Sequence, residues 1–159
     1  MSVKPLQFTI TGNSESPTRL AVSARDFSFL IDEAEAFGGT DSAPNPVEYE
    51  LASLAGCMNV VIHLVAKEQG VEVRRLHLTA TGELDPALLM GLPTDNRAGY
   101  AAIELVAEID SDSSAEQIDK VLRIAEGRCP VSDNLSNVTP VFLRRMRADE
   151  RSAAVVARA

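Results

Sequence analysis

The segment from Asn45 to Gly70 constrains this chain more than any other. Asn45 is a good N-cap, Pro46 suits the first helical position, and Glu48 can close a capping box onto Asn45. Gly70 supplies the stop. Between them the pattern is helical and apolar on nearly every side: Val47, Leu51, Leu54, Met58, Val60, Val61, Ile62, Leu64 and Val65. A helix with so little polar face must be covered by protein, so the rest of the chain has to wrap it. One thiol, Cys57, sits in the middle of the run. Asn59, His63 and Lys67 interrupt the run, so no apolar stretch reaches membrane-spanning length without a break.

The flanking segments read mostly as strands. Leu6, Phe8 and Ile10 alternate with polar neighbours up to Gly12-Asn13, and Leu20, Val22 and Ala24 alternate again. After Arg25-Asp26 come Phe27, Phe29 and Ile31, which predicts a hairpin across an unfavoured turn pair. Beyond Gly70, the alternation from Val71 to Leu84 slips a face near Arg74-Arg75, and a bulge there would account for it. Residues 85–99, with Pro86, Gly91 and Pro93, read as a connection containing one helical turn. Ile103, Leu105, Ala107 and Ile109 predict a strand. A second helix follows, capped by Ser113 or Ser114, with Ile118, Val121, Leu122 and Ala125 on one face and a stop at Gly127.

Pro130 forces Cys129 toward extended backbone, placing that thiol on a turn. Ser132 and Asp133 can cap a short helical turn through Asn137. Val138 to Met146 reads as a last strand, with Arg144, Arg145 and Arg147 as a solvated face. The order βββαββαβ predicts an α+β fold, with helices stacked on an antiparallel sheet. Residues 1–147 form one domain on this reading, and 148–159 form a frayed helix or a disordered tail.

Composition narrows the function classes. A net charge of −8 argues against nucleic-acid and anionic-membrane partners. Met1 to Pro5 lacks the apolar core of a signal peptide, so the expected location is cytoplasmic. Two cysteines in that compartment are not a structural framework, and buried thiols acting as small hydrophobes are the plain alternative. Cys57, His63, His77 and Cys129 lack zinc-ligand spacing, and no metal or cofactor is expected. Asp32 and Asp41 read as loop-ordering carboxylates.

Gly39-Thr40-Asp41 through Asn45-Pro46 to Cys57, together with Cys129-Pro130-Val131-Ser132, resemble the OsmC/Ohr family of thiol-dependent hydroperoxide reductases. Ile31-Asp32-Glu33 and Gly82-Glu83-Leu84-Asp85-Pro86 add to the likeness, which covers nearly the whole chain and favours the OsmC-like branch. The resemblance implies an intertwined homodimer in which two central helices lie back to back inside sheets from both chains. Ala52, Gly56 and Asn59 form a stripe of small side chains that would admit a second helix, or this chain's own second helix.

The resemblance also implies a chemistry. Cys57 matches the thiol that attacks peroxide, and Cys129 matches the resolving thiol, with an external dithiol as reductant. Cys57 lies too far from Asn45 to feel the helix dipole, so a cation must come from elsewhere. The family's arginine corresponds to Arg19 or Arg25, with Arg19 favoured by its place before the second strand. The family's glutamate directly follows Asn-Pro, where this chain has Val47. Glu48 comes one residue later and lies half a turn out of phase with Cys57, whereas Glu50 shares its face. That departure motivates a second reading, a non-catalytic small-ligand-binding or redox-sensing protein on the same scaffold.

Overall fold

The computed structural model describes residues 4–147, and the tail expected at 148–159 lies outside the described residues. Three strands open the fold, β1 Thr11–Ser14, β2 Leu20–Ala24 and β3 Phe27–Ile31, in an antiparallel sheet of order β1-β2-β3. A 3-10 turn, Glu35–Phe37, leads to the long helix α1, Pro46–Gln69. The ribbon β4 Arg75–Glu83 and β5 Ala102–Asp110 follows, then α2 Ala115–Glu126 and α3 Pro130–Ser136. The architecture is α+β with antiparallel sheets, as expected, but the strands form two separate sheets.

The caps of α1 are those its sequence dictates. Asn45 accepts from the Glu48 amide at 2.9 Å, and Glu48 accepts from the Asn45 amide at 2.8 Å. At the other end Gly70 is left-handed, and the Val71 amide donates back to Ala66 O at 2.9 Å, closing a Schellman motif. Val71 is thereby buried as the hydrophobic partner of that motif. This corrects the bulge expected at Arg74-Arg75: Val71 belongs to the helix exit, and β4 pairs with β5 without interruption from Arg75↔Asp110 to Glu83↔Ala102.

The core lies on one side of α1. Leu54, Met58, Val61, Ile62, Val65 and Ala66 meet Val71, Val121, Ala125 and Cys129, with the inward residues of β4 and β5 packed against them. Ile62 and Val65 are wholly buried, and each such side chain contributes about 1.5–3 kcal/mol of transfer free energy. The opposite stripe, Ala52, Gly56, Asn59, Val60, His63 and Leu64, is exposed, Val60 at 56% and Leu64 at 55%. The expectation of burial all round therefore fails within one chain. By length and composition alone α1 could cross a bilayer, yet one side of it is packed into the protein core.

Two expected strands are displaced or missing. Leu6, Phe8 and Ile10 are exposed and unpaired, and β1 starts at Thr11, so Gly12 and Asn13 lie inside the strand that they were expected to end. Residues 138–146 form no strand, and Val141 stands 90% exposed. Both segments alternate as strands do, but neither finds a partner edge among the described residues. The β2–β3 hairpin does form, at the cost of a left-handed Arg25 with φ 56°, whose guanidinium lies 5.1 Å from the Phe27 ring centroid.

The loop entering α1 is organised by Asp32. Its side chain is fully buried, and Oδ2 accepts from the Thr40 hydroxyl at 2.6 Å and amide at 3.1 Å. The Ser42 hydroxyl and amide donate to the same oxygen at 2.9 and 3.2 Å. These bonds, Thr40's hydroxyl first, outweigh the upward push of burial and hold the carboxyl well below the usual carboxylate range. Asp32 is a loop-ordering carboxylate, as expected. Gly39 is required beside it, because a Cβ there would fall 1.8 Å from the Glu33 carbonyl oxygen.

Candidate active site

Cys57 faces inward from the middle of α1, half-buried against the core. Cys129 is delivered from the far side. The linker after α2 is only Gly127 and Arg128, and Pro130 starts α3, so Cys129 takes extended backbone (φ −80°, ψ 110°) between two helices. This refines the expected turn, since α3 begins at Pro130 rather than at Ser132, and its N-cap is the cysteine itself. Cys129 Sγ accepts from the Ser132 amide at 3.4 Å. The same sulfur lies 3.1 Å from Cys57 Sγ, and both thiols are reduced. Closing that gap to a disulfide requires an approach of about 1 Å.

Burial pushes the Cys57 thiol above its ordinary value, the Val131 amide opposes that push by hydrogen bonding to the sulfur, and Cys129 adds to it. Neither Arg19 nor Arg25 is among the groups acting on Cys57. Arg19 pairs through Nε with Glu15 at 2.9 Å, one turn back along the β1–β2 connection, and Arg25 rests on Phe27. The two acids do not act on Cys57 either. Glu48 closes the capping box and Glu50 lines a cavity, and after burial both push up the pKa of Tyr100. The structure thus brings together the two cysteines and leaves Arg19, Glu48 and Glu50 apart from them within one chain.

That cavity, about 760 Å³, lies between α1, β5, α2 and α3. Leu54, Met58, Ile62, Ile103, Leu105 and Leu122 give it an apolar floor, and Glu50, Arg97, Tyr100 and Arg123 stand among its polar residues. Neither sulfur lines it, although Met58 and Ser132 adjoin the two cysteines. Sequence reasoning missed Val131, because its contribution is a backbone amide with no side-chain signature. It also missed Tyr100, whose hydroxyl donates to Val47 O at 3.0 Å and whose ring fills the space a side chain at Gly82 would need. Among the described residues no cluster of three or more His, Cys, Asp or Glu side chains is placed to hold a metal.

Comparison with known proteins places the fold and the family. A search of curated proteins finds no match. Among solved structures, an OsmC-like protein from Mycoplasma pneumoniae superposes with a TM-score of 0.74 at 23% identity, covering 85% of this chain and 91% of that one. An organic hydroperoxide resistance protein from Elizabethkingia anophelis gives 0.63 at 19% identity over 82% and 88% of the two chains. One from Legionella pneumophila gives 0.61 at 16% over 84% and 91%. At these identities the likeness shows the fold. The family model for OsmC-like proteins matches residues 39–144, which takes in Gly39, α1, both cysteines and the ribbon between them, and on that match the chain belongs to the OsmC family.

Proposed function

We propose that the protein is a two-cysteine hydroperoxide reductase of the cytoplasm, and the observation that carries this reading is the 3.1 Å separation of two reduced sulfurs that lie 72 residues apart in the chain. The Cys57 thiolate attacks the terminal peroxide oxygen, the O–O bond breaks, and the alcohol departs with a proton, leaving a sulfenic acid on Cys57. The Cys129 thiol then attacks that sulfur, water leaves, and a Cys57–Cys129 disulfide forms. An external dithiol reduces the bond, and no bound cofactor enters the cycle. Treating the reduced protein with one equivalent of hydrogen peroxide and mapping its peptides should show both thiols lost together in a Cys57–Cys129 link. Recovery of both cysteines as free thiols would sink the proposal.

The working form on this reading is a homodimer. The exposed stripe of α1 is narrow in side chain at Ala52 and Gly56, and a Cβ added at Gly56 meets nothing within 4 Å. Leu6, Phe8 and Ile10 on one segment, and Val141, Phe142 and Leu143 on another, present apolar side chains that this chain leaves uncovered. A second copy is also the source from which an arginine, Arg19 first, and an acid, Glu48 or Glu50, would reach Cys57. Sedimentation equilibrium should give twice the 17.1 kDa chain mass, and a monomer at micromolar concentration would overturn the assembly.

The pH dependence reads out the arginine. With only burial, Cys129 and the Val131 amide acting, the thiolate fraction of Cys57 rises about tenfold per pH unit from neutrality toward its raised pKa. Peroxide consumption should climb with it in stopped-flow traces. A rate already level below pH 7 would show a cation at the sulfur. The same raised pKa means that Cys57 contributes stability below the unfolded thiol value, about 8.5, and loses it as pH rises through the folded one.

The second reading, a small-ligand binder on the same scaffold, draws on the cavity, which is large enough for a small organic molecule and contains neither thiol. Native mass spectrometry of the purified protein separates the two. A stoichiometric copurifying molecule in a peroxide-inert protein supports the binder, and an empty, peroxide-active protein removes it.

A further inference from the structure

The α2–α3 linker is anchored on one side by its backbone. Gly127 donates to Arg123 O at 3.3 Å, Arg128 to Ala125 O at 3.1 Å and Cys129 to Glu126 O at 3.3 Å, so these bonds tie Cys129 to α2. None of them ties it to α1, the helix that carries the other sulfur. Arg128, the residue before Cys129, supplies that tie through an ion pair from Nη1 to Glu68 Oε2 at 2.6 Å. Glu68 lies three turns after Cys57 on the same face of α1, about 16 Å along the axis. The pair therefore joins the peptide next to one sulfur to the helical stripe that bears the other.

We propose that Arg128 and Glu68 are positioning residues, a strap that holds Cys129 in line for attack on an oxidised Cys57 sulfur. This deepens the two-cysteine reading and rests on it for its role in the cycle. Both side chains are about half exposed, so the strap adds little to global stability. Its effect falls on the last movement of Cys129 toward Cys57, where a small loss of alignment slows bond formation directly. Breaking an exposed pair of this kind should slow closure by about two- to fivefold.

The test isolates closure from peroxide chemistry, so that it stands whether or not the protein is a peroxidase. Reacting the full chain with a thionitrobenzoate disulfide reagent loads the half-buried Cys57, while Cys129 stays shielded at 1% exposure. The Cys129 thiolate then attacks the Cys57 sulfur, the mixed disulfide breaks, thionitrobenzoate leaves, and its absorbance reports the closure rate. Arg128→Gln and Glu68→Gln should each slow closure about two- to fivefold, in the same direction, without changing its apparent pKa. The charge-swapped pair Arg128→Glu with Glu68→Arg should recover most of the rate. Salt at 0.5 M should slow the wild type and leave the single variants unchanged.

An electrostatic role of Arg128 on the Cys129 thiolate gives a different signature. Glu68→Gln would then speed closure, Arg128→Gln would slow it, and the pH profile would move. Opposite signs, a shifted profile, rates equal to wild type in both variants, or no recovery in the swap each overturn the strap. A wild-type chain that closes at this rate yet consumes no peroxide would instead overturn the peroxidase reading and leave the strap standing.

Discussion

Asp32→Ala is expected to lower the stability of the protein by about 3–5 kcal/mol, read as a fall in the urea midpoint with little change in slope. The size follows from the number of donors orphaned at once. Thr40 and Ser42 each aim an amide and a hydroxyl at Oδ2, and Asp32 has no exposure to let water replace it. Asp32→Asn, which keeps one carbonyl oxygen but no charge, should lose roughly half as much. The acid limb carries the sign. Because the folded pKa is depressed, the charge's contribution is complete above the unfolded carboxyl value, about 4, and is lost progressively as pH falls from there through the folded value. Wild type and Asp32→Ala should therefore converge in stability at low pH. Variants that remain as far apart at pH 2 as at pH 7 would refute the assignment.

Cys57→Ser is expected to reduce peroxide consumption to the uncatalysed background, since a hydroxyl at that site cannot take an oxygen from peroxide as a thiolate does. Cys129→Ser should behave differently. Its first attack proceeds, a sulfenic acid persists on Cys57, and turnover stops after one event per chain until an outside thiol intervenes. A trapping reagent for sulfenic acids, followed by peptide mapping, distinguishes the two. Equal residual turnover in both variants would place the chemistry elsewhere. Serine also suits the N-cap of α3, and the urea midpoint of Cys129→Ser separates a loss of activity from a loss of fold at this buried position.

The elements legible in the sequence are those whose signals are local. Asn45, Pro46 and Glu48 fix the start of α1 within one turn, Ser113 or Ser114 places that of α2 to within a residue, Ser114 proving to be the cap, and the period-two pattern of β5 needs no neighbour to be read. The failures share a cause too. Val71 looked like a strand residue out of phase because the motif that buries it runs backward into α1. Leu6 to Ile10 and Val138 to Met146 have the alternation of strands, but alternation records which faces differ in polarity and not which edge is available. At the site, the meeting of Cys57 with Cys129 came through family resemblance, because no spacing predicts a contact across 72 residues. The arginine and acid stayed open for a related reason. Arg19 lies in ion-pair range of Glu15 with its buried Nε left without a hydrogen-bond partner, and nothing in its local sequence says whether a cysteine is its target.

A cysteine that caps a helix makes that helix a gauge of its own oxidation state. The Ser132 amide rests on Cys129 Sγ, and a sulfur accepts best as an anionic thiolate and only weakly as a neutral thiol or disulfide. On the proposed cycle the first turn of α3 would be tightest with Cys129 as thiolate and looser once the bond has formed. Ser132, Leu135 and Ser136 on that helix line the cavity, so on the proposed two-cysteine reading oxidation of Cys129 would reshape the wall of a chamber that neither sulfur lines.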